Sequence, residues 1–100
     1  MSETDHGSDV VRRRIAVRGR VQGVGFRYFT QSVARNLALT GFVRNEPDGG
    51  VVAEVQGPVA AVDEFLRHVG LGPAFARVDE VVVESINVRN EDVEFAVQRR

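Results

Sequence analysis

The chain has 100 residues, a formal net charge of −1 at pH 7, 43 % hydrophobic and 27 % charged residues, and no cysteine. That length supports one hydrophobic core rather than two, and the missing cysteine excludes disulfides, thiolate metal sites and cysteine nucleophiles. The near-neutral charge excludes broad attraction to nucleic acid or anionic membranes, so any anion must be bound by a local arrangement of groups.

In chain order, residues 1–10 are polar and acidic, unlike a secretory leader, and are expected to be a disordered tail before a single domain spanning residues 11–100. Residues 11–21 place Val11, Ile15 and Val17 among arginines at near-alternate positions, as in a strand with one wet face. Arg12, Arg13 and Arg14 read as its solvated entrance. Phe26, Phe29, Val33 and Leu37 recur at steps of three and four, which predicts a helix running until Gly41 stops it. Residues 41–45 and 50–56 are extended runs around Pro47, Asp48, Gly49 and Gly50, a hairpin with its turn. Pro58 suits a helix start, and Val59, Val62, Leu66 and Val69 continue at helical spacing until Gly70 and Gly72. Residues 78–86 are valine-rich, and Val93, Phe95 and Val97 alternate with polar or small residues, giving two closing strands.

This order, βαββαβ plus a short final strand, predicts an α+β fold: a ferredoxin-like α/β sandwich with two helices on one face of an antiparallel sheet. In that topology the first two strands run parallel with the third between them, so the segment after strand one and the end of strand two meet at one edge. Residues 22–27 and Asn45 are thereby brought together.

The connection Gly19-Arg20-Val21-Gln22-Gly23-Val24-Gly25-Phe26-Arg27 carries three glycines, which allow close approach of backbone to a ligand. No Ser, Thr, Asp or Asn stands at the N-cap, so the first N–H groups of the helix need another acceptor, either water or an anion. Arg27 in the first turn is opposed by the helix dipole, and an anion between the two reverses the sign of that interaction. Spacing alone leaves two readings open, a bound phosphate or a solvated arginine beside a glycine turn.

The segment GRVQGVGFR closely resembles the signature of the acylphosphatase family. The resemblance extends through TQSVARNLALTGFVRN, EVQGP and RVDEV, and covers the chain from about Ile15 onward. It implies an acylphosphatase that hydrolyses the carboxyl-phosphate bond of acyl phosphates without metal or cofactor. It further implies that Gln22, Gly23, Val24, Gly25, Phe26 and Arg27 form the phosphate-binding loop, that Arg27 is the essential arginine, and that Asn45 is the essential asparagine; as donor and acceptor at once, Asn45 is expected to orient the attacking water. Two departures from the family pattern stand out: Gly25, where relatives often carry a larger residue and where extra flexibility could lower affinity, and the acidic run Glu46-Pro47-Asp48, which could repel an anionic substrate.

Thr30 and Arg20 are supporting candidates, each with a plainer reading: a threonine in an early helical turn bonds locally, and an arginine at a strand end is solvated. His6 and His68 lack metal-ligand spacing. The alternative to catalysis is a binding module for a small anion or for RNA, since such sandwiches also bind RNA through aromatics on their central strands. Residues 15–20 and 51–56 contain no aromatic, so nucleic acid is not expected. No run approaches the ~18 apolar residues of a membrane helix, and a cytoplasmic monomer acting on a small molecule is the expectation.

Overall fold

The computed structural model describes residues 9–90 and 93–99. Residues 1–8, which hold most of the expected tail and His6, lie outside the described residues. The elements are β1 (Val10–Arg20), α1 (Phe26–Asn36), β2 (Thr40–Asn45), β3 (Val51–Pro58), α2 (Val59–Leu71), β4 (Arg77–Ile86) and β5 (Phe95–Gln98). The sheet order is β4-β1-β3-β2-β5. β3 pairs antiparallel with both β1 and β2, so β1 and β2 run in the same direction, as the sequence order predicts. β4 adds antiparallel to β1, but β5 lies parallel to β2, so the five-stranded sheet is mixed rather than wholly antiparallel. The reason is topological: the chain leaves β4 at one edge and must cross the sheet to reach the opposite edge, where it can enter alongside β2.

Alternation along the strands sends Ile15, Val17, Val43, Ala53 and Val55 to the face covered by both helices, where they join Phe26, Ala34, Val62, Phe65, Val69 and Phe95 in one core. The buried stripes differ from the expected ones. In α1 the fully buried positions are Phe26, Thr30 and Ala34, with Val33 and Leu37 at the flank. In α2 Phe65 is fully buried and Leu66 only partly, and the Phe65 and Phe95 rings lie 5.8 Å apart. The small side chains of Thr30 and Ala34 let α1 approach the sheet closely, while the larger apolar residues pack around that line.

Several boundaries also differ. α1 ends well before Gly41, which lies within β2. Its terminus is closed by Ala38 N–H donating to Arg35 O (3.1 Å) and Leu39 N–H donating to Ala34 O (2.9 Å), with Ala38 in the left-handed region at φ 57°. α2 runs through Gly70 to Leu71, and its first N–H is satisfied by Asp9 O at 3.0 Å. Val93 precedes β5 and is exposed.

Arg12 corrects a larger expectation. It is not a solvated strand entrance but fully buried, on the sheet face away from the helices. Its Nε donates to Glu54 Oε1 (2.9 Å) and its Nη1 to Gln56 Oε1 (3.1 Å), while Arg14 Nη1 donates to Glu54 Oε2 (3.0 Å). The chain beyond β4 passes over this end of the face, where Gln56 Nε2 donates to Arg89 O and Arg89 N–H donates to Gln56 Oε1. A crossover that shields the face from water makes a matched carboxylate necessary.

Two stability outcomes follow. Ala38→Gly relieves the left-handed strain of a residue with a Cβ, partly offset by a freer unfolded chain, and should add about 1 kcal/mol. Thermal unfolding followed by circular dichroism should show a midpoint higher by roughly 4–8 °C. Glu54→Ala leaves the buried Arg12 without its carboxylate and should remove about 3 kcal/mol, read as a lower urea midpoint at unchanged slope. A midpoint within error of the parent would show that Glu54 is not what balances Arg12.

Candidate active site

The edge where β1 and β2 both end is built from three segments. β1 finishes at Arg20, and Val21 behind it is buried in the core. The chain then turns through residues 22–25 into α1. Gly23 and Gly25 both adopt positive φ, 75° and 79°, and a Cβ at either would meet nothing within 4 Å. Glycine is therefore favoured here by backbone conformation rather than by crowding. Gly25, the departure from the family pattern, is the N-cap of α1 in a left-handed conformation that strains any larger residue. It offers no side-chain cap, and the first turn of α1 contains no acidic residue. The N-terminal N–H groups are thus left for an outside acceptor, as the sequence predicts.

Asn45 is the last residue of β2, paired with Val51 across the hairpin. The turn beyond it is closed by Glu46 N–H donating to Gly50 O (2.9 Å) and Gly49 N–H donating to Glu46 O (3.1 Å). Gln22 ties this turn to the glycine loop. Its Nε2 donates to Glu46 O at 2.8 Å and to Gly50 O at 2.7 Å. Its side chain is therefore committed to holding two loops together, a role the sequence did not indicate because it depends on contacts 24 and 28 residues away.

Between these segments lies a hollow of about 90 Å³ lined by Val21, Gly23, Gly25, Phe26, Arg27, Tyr28 and Asn45. Arg27 and Asn45, predicted to share this edge, thus line one cavity. Arg27 Nη1 donates to Gln98 O at the end of β5 (3.1 Å), which fixes one corner of the guanidinium. Nε and Nη2, the side-on fork, have no protein partner among the described residues. Gln98 and Tyr28 were not expected at the site. Gln98 arrives through the parallel pairing of β5 with β2, which local sequence does not reveal. Tyr28, directly after Arg27, had adjacency as its only signal.

Other candidates lie elsewhere. Thr30 is fully buried beneath α1, does not line the hollow, and its Oγ1 has no hydrogen-bond partner among the described residues. Arg20 is exposed at the end of β1 opposite Arg77 and also stays outside the lining. The acidic run after Asn45 does not line the hollow. Glu46 Oε2 accepts from Arg44 Nε at 2.7 Å, and Asp48 Oδ2 pairs with Arg18 Nη2 at 3.0 Å. The Gly50 N–H, donating to Asp48 Oδ1, and then Arg18 hold the Asp48 carboxyl below its ordinary range. Both acids are locally matched by arginines, so the repulsion that the run could exert on an anion is largely offset by its neighbours. Among the described residues no group of three or more His, Cys, Asp or Glu could hold a metal ion, and no helix is long and apolar enough to cross a membrane.

The arrangement resembles known proteins throughout. The family model for acylphosphatases matches residues 13–97. An acylphosphatase of Oceanobacillus iheyensis is 48 % identical over 86 residues, covering 85 % of this chain and 94 % of the relative. One of Anaeromyxobacter dehalogenans is 51 % identical over 80 residues, covering 80 % of this chain and 86 % of the relative. The crystal structure of acylphosphatase from Bacillus subtilis superposes with a TM-score of 0.85 at 37 % identity, covering 90 % of this chain and 99 % of that one. With matches of this extent in sequence and in fold, the chain belongs to the acylphosphatase family and is an enzyme of that kind.

Proposed function

We propose that the enzyme hydrolyses acyl phosphates to a carboxylate and inorganic phosphate, with the phosphoryl group held by the backbone of residues 22–27 and the side chain of Arg27, and with the attacking water positioned by Asn45. The observation that carries this reading is the shared hollow: a glycine loop with unmet N–H groups, a guanidinium fork and a carboxamide border one space.

A carboxylate is a stable leaving group without protonation, so the departing oxygen needs no general acid. The water oxygen forms its bond to phosphorus as the phosphorus–acyl oxygen bond breaks. The electron pair of that bond leaves with the carboxylate, and the water proton passes to a phosphoryl oxygen or to solvent. What the protein supplies is positioning and charge balance over the equatorial oxygens. Arg27, steadied by Gln98 O, presents Nε and Nη2 as a planar fork matched to two phosphoryl oxygens. The N-terminal N–H groups of α1 and its positive dipole end face the same anion. Asn45 can accept a hydrogen bond from the attacking water through Oδ1 and donate to a phosphoryl oxygen through Nδ2. The chemistry calls for neither metal nor cofactor.

The setting we infer is a monomer in the cytoplasm acting on a small molecule rather than on nucleic acid. Supporting the last point, the helix-free face of β1 and β3 carries Arg12, Arg14 and Glu54 locked in ion pairs, with no aromatic for bases to stack on.

Phosphate release from benzoyl phosphate tests the proposal. Arg27→Ala and Asn45→Ala should each lower kcat by ~10²–10³, the typical loss for one preorganised donor, and Arg27→Lys should fail as well because a point charge lacks the fork. Turnover should be unaffected by EDTA. Near-normal turnover by either folded alanine variant would remove that residue from the mechanism. Gln22→Ala should lower kcat with circular dichroism unchanged, by about tenfold, as expected when Asn45 loses its fixed distance from the loop. If Gln22→Ala instead changes only the unfolding midpoint, the link is structural and Asn45 is held by other means.

A further inference from the structure

Most arginines in this protein are matched. Arg12, Arg14, Arg18, Arg35, Arg44, Arg67 and Arg77 each lie within salt-bridge distance of a carboxylate. Arg20, Arg27 and Arg99 have no carboxylate at that distance among the described residues, and neither does Arg13 at the other end of β1. The three come to the same edge of the sheet for topological reasons: β1 ends there, α1 begins there, and β5, parallel to β2, ends there too. Among the described residues, positive charge is thus left without a carboxylate partner at this edge, in a protein whose net charge is −1.

Arg99 has a defined place in this group. Its Nη2 donates to the Tyr28 hydroxyl at 3.0 Å, and Tyr28 lines the hollow. One residue earlier, Gln98 O accepts from Arg27. Two consecutive residues at the end of β5 therefore grip two consecutive residues at the start of α1, setting one cation in the hollow and a second against the hydroxyl of Tyr28, a residue of its lining. The phenol holds the second guanidinium without neutralising it, and its other N–H donors have no partner among the described residues. A phosphoryl group bound by Arg27 and the loop backbone does not need this second cation, whereas a charge on the remainder of the ligand does.

We propose that Arg99 determines substrate specificity by receiving a second anionic group, carried on the acyl half, so that the enzyme favours acyl phosphates whose acyl group is itself negatively charged. The proposal rests on the acyl phosphate reading above and adds to it the charge of the acyl group. Because Arg99 is exposed, the expected preference is modest: an exposed ion pair reaches about fivefold at its upper end.

The test compares benzoyl phosphate with 4-carboxybenzoyl phosphate, which differ in the added carboxylate alone. The parent enzyme should favour the carboxylated substrate about fivefold in kcat/KM, chiefly through KM, and the preference should shrink at high ionic strength. Arg99→Gln should abolish the preference and Arg99→Lys should retain part of it. Tyr28→Phe, which frees the guanidinium, should weaken it. A preference that persists in Arg99→Gln, or an equal loss on both substrates, overturns the proposal. Turnover of both by the parent without preference overturns it alone, while turnover of neither overturns the acyl phosphate reading with it.

Discussion

Everything at the site depends on β3 lying between β1 and β2. Because β3 is antiparallel to both neighbours, β1 and β2 must point the same way, and the loop after one meets the terminal residue of the other. The crossover that makes this possible is α1, whose N-terminus then stands over the same edge with its N–H groups unmet. Asn45 and Arg27 are 18 positions apart in sequence and border one hollow for this reason alone.

Charge follows the same geometry. On the helix-free face the arginines are matched by carboxylates and, at the buried Arg12, locked under the crossover beyond β4. That face stabilises the fold. At the edge, Arg20, Arg27 and Arg99 have no such match among the described residues. A cation in the first turn of a helix is unfavourable on its own, and β5 tolerates it by offering a backbone carbonyl in place of a carboxylate, which holds the guanidinium without cancelling its charge. Such an arrangement leaves a guanidinium and unmet N–H groups facing one hollow, which is the kind of preorganisation that an anion site requires.

Rigidity at the edge comes from polar links between loops. Gln22 bridges the glycine loop to the turn after Asn45, and Asp48 folds that turn on itself through the Gly50 N–H. The glycines supply backbone shapes that other residues resist, and these hydrogen bonds select one of the many conformations that glycine allows. The flexibility that Gly25 could introduce is thus countered by its neighbours and by its own fit to a left-handed N-cap.

The fold was legible from the chain because alternation and helical spacing record burial locally, residue by residue. The order of elements then restricted the topology to one with β1 and β2 parallel. The glycine loop, the missing N-cap and Arg27 were legible for the same reason, since all of them belong to one short segment. Tertiary structure alone decided what depends on distant chain meeting: Arg12 buried instead of solvated, the Gln22 bridge, β5 entering parallel to β2, and with it Gln98 and Arg99 beside Arg27 and Tyr28. A side chain's periodicity reports whether it faces a core, but not which residue from the far end of the chain will stand opposite it, because that is settled by packing and crossover paths rather than by local preference.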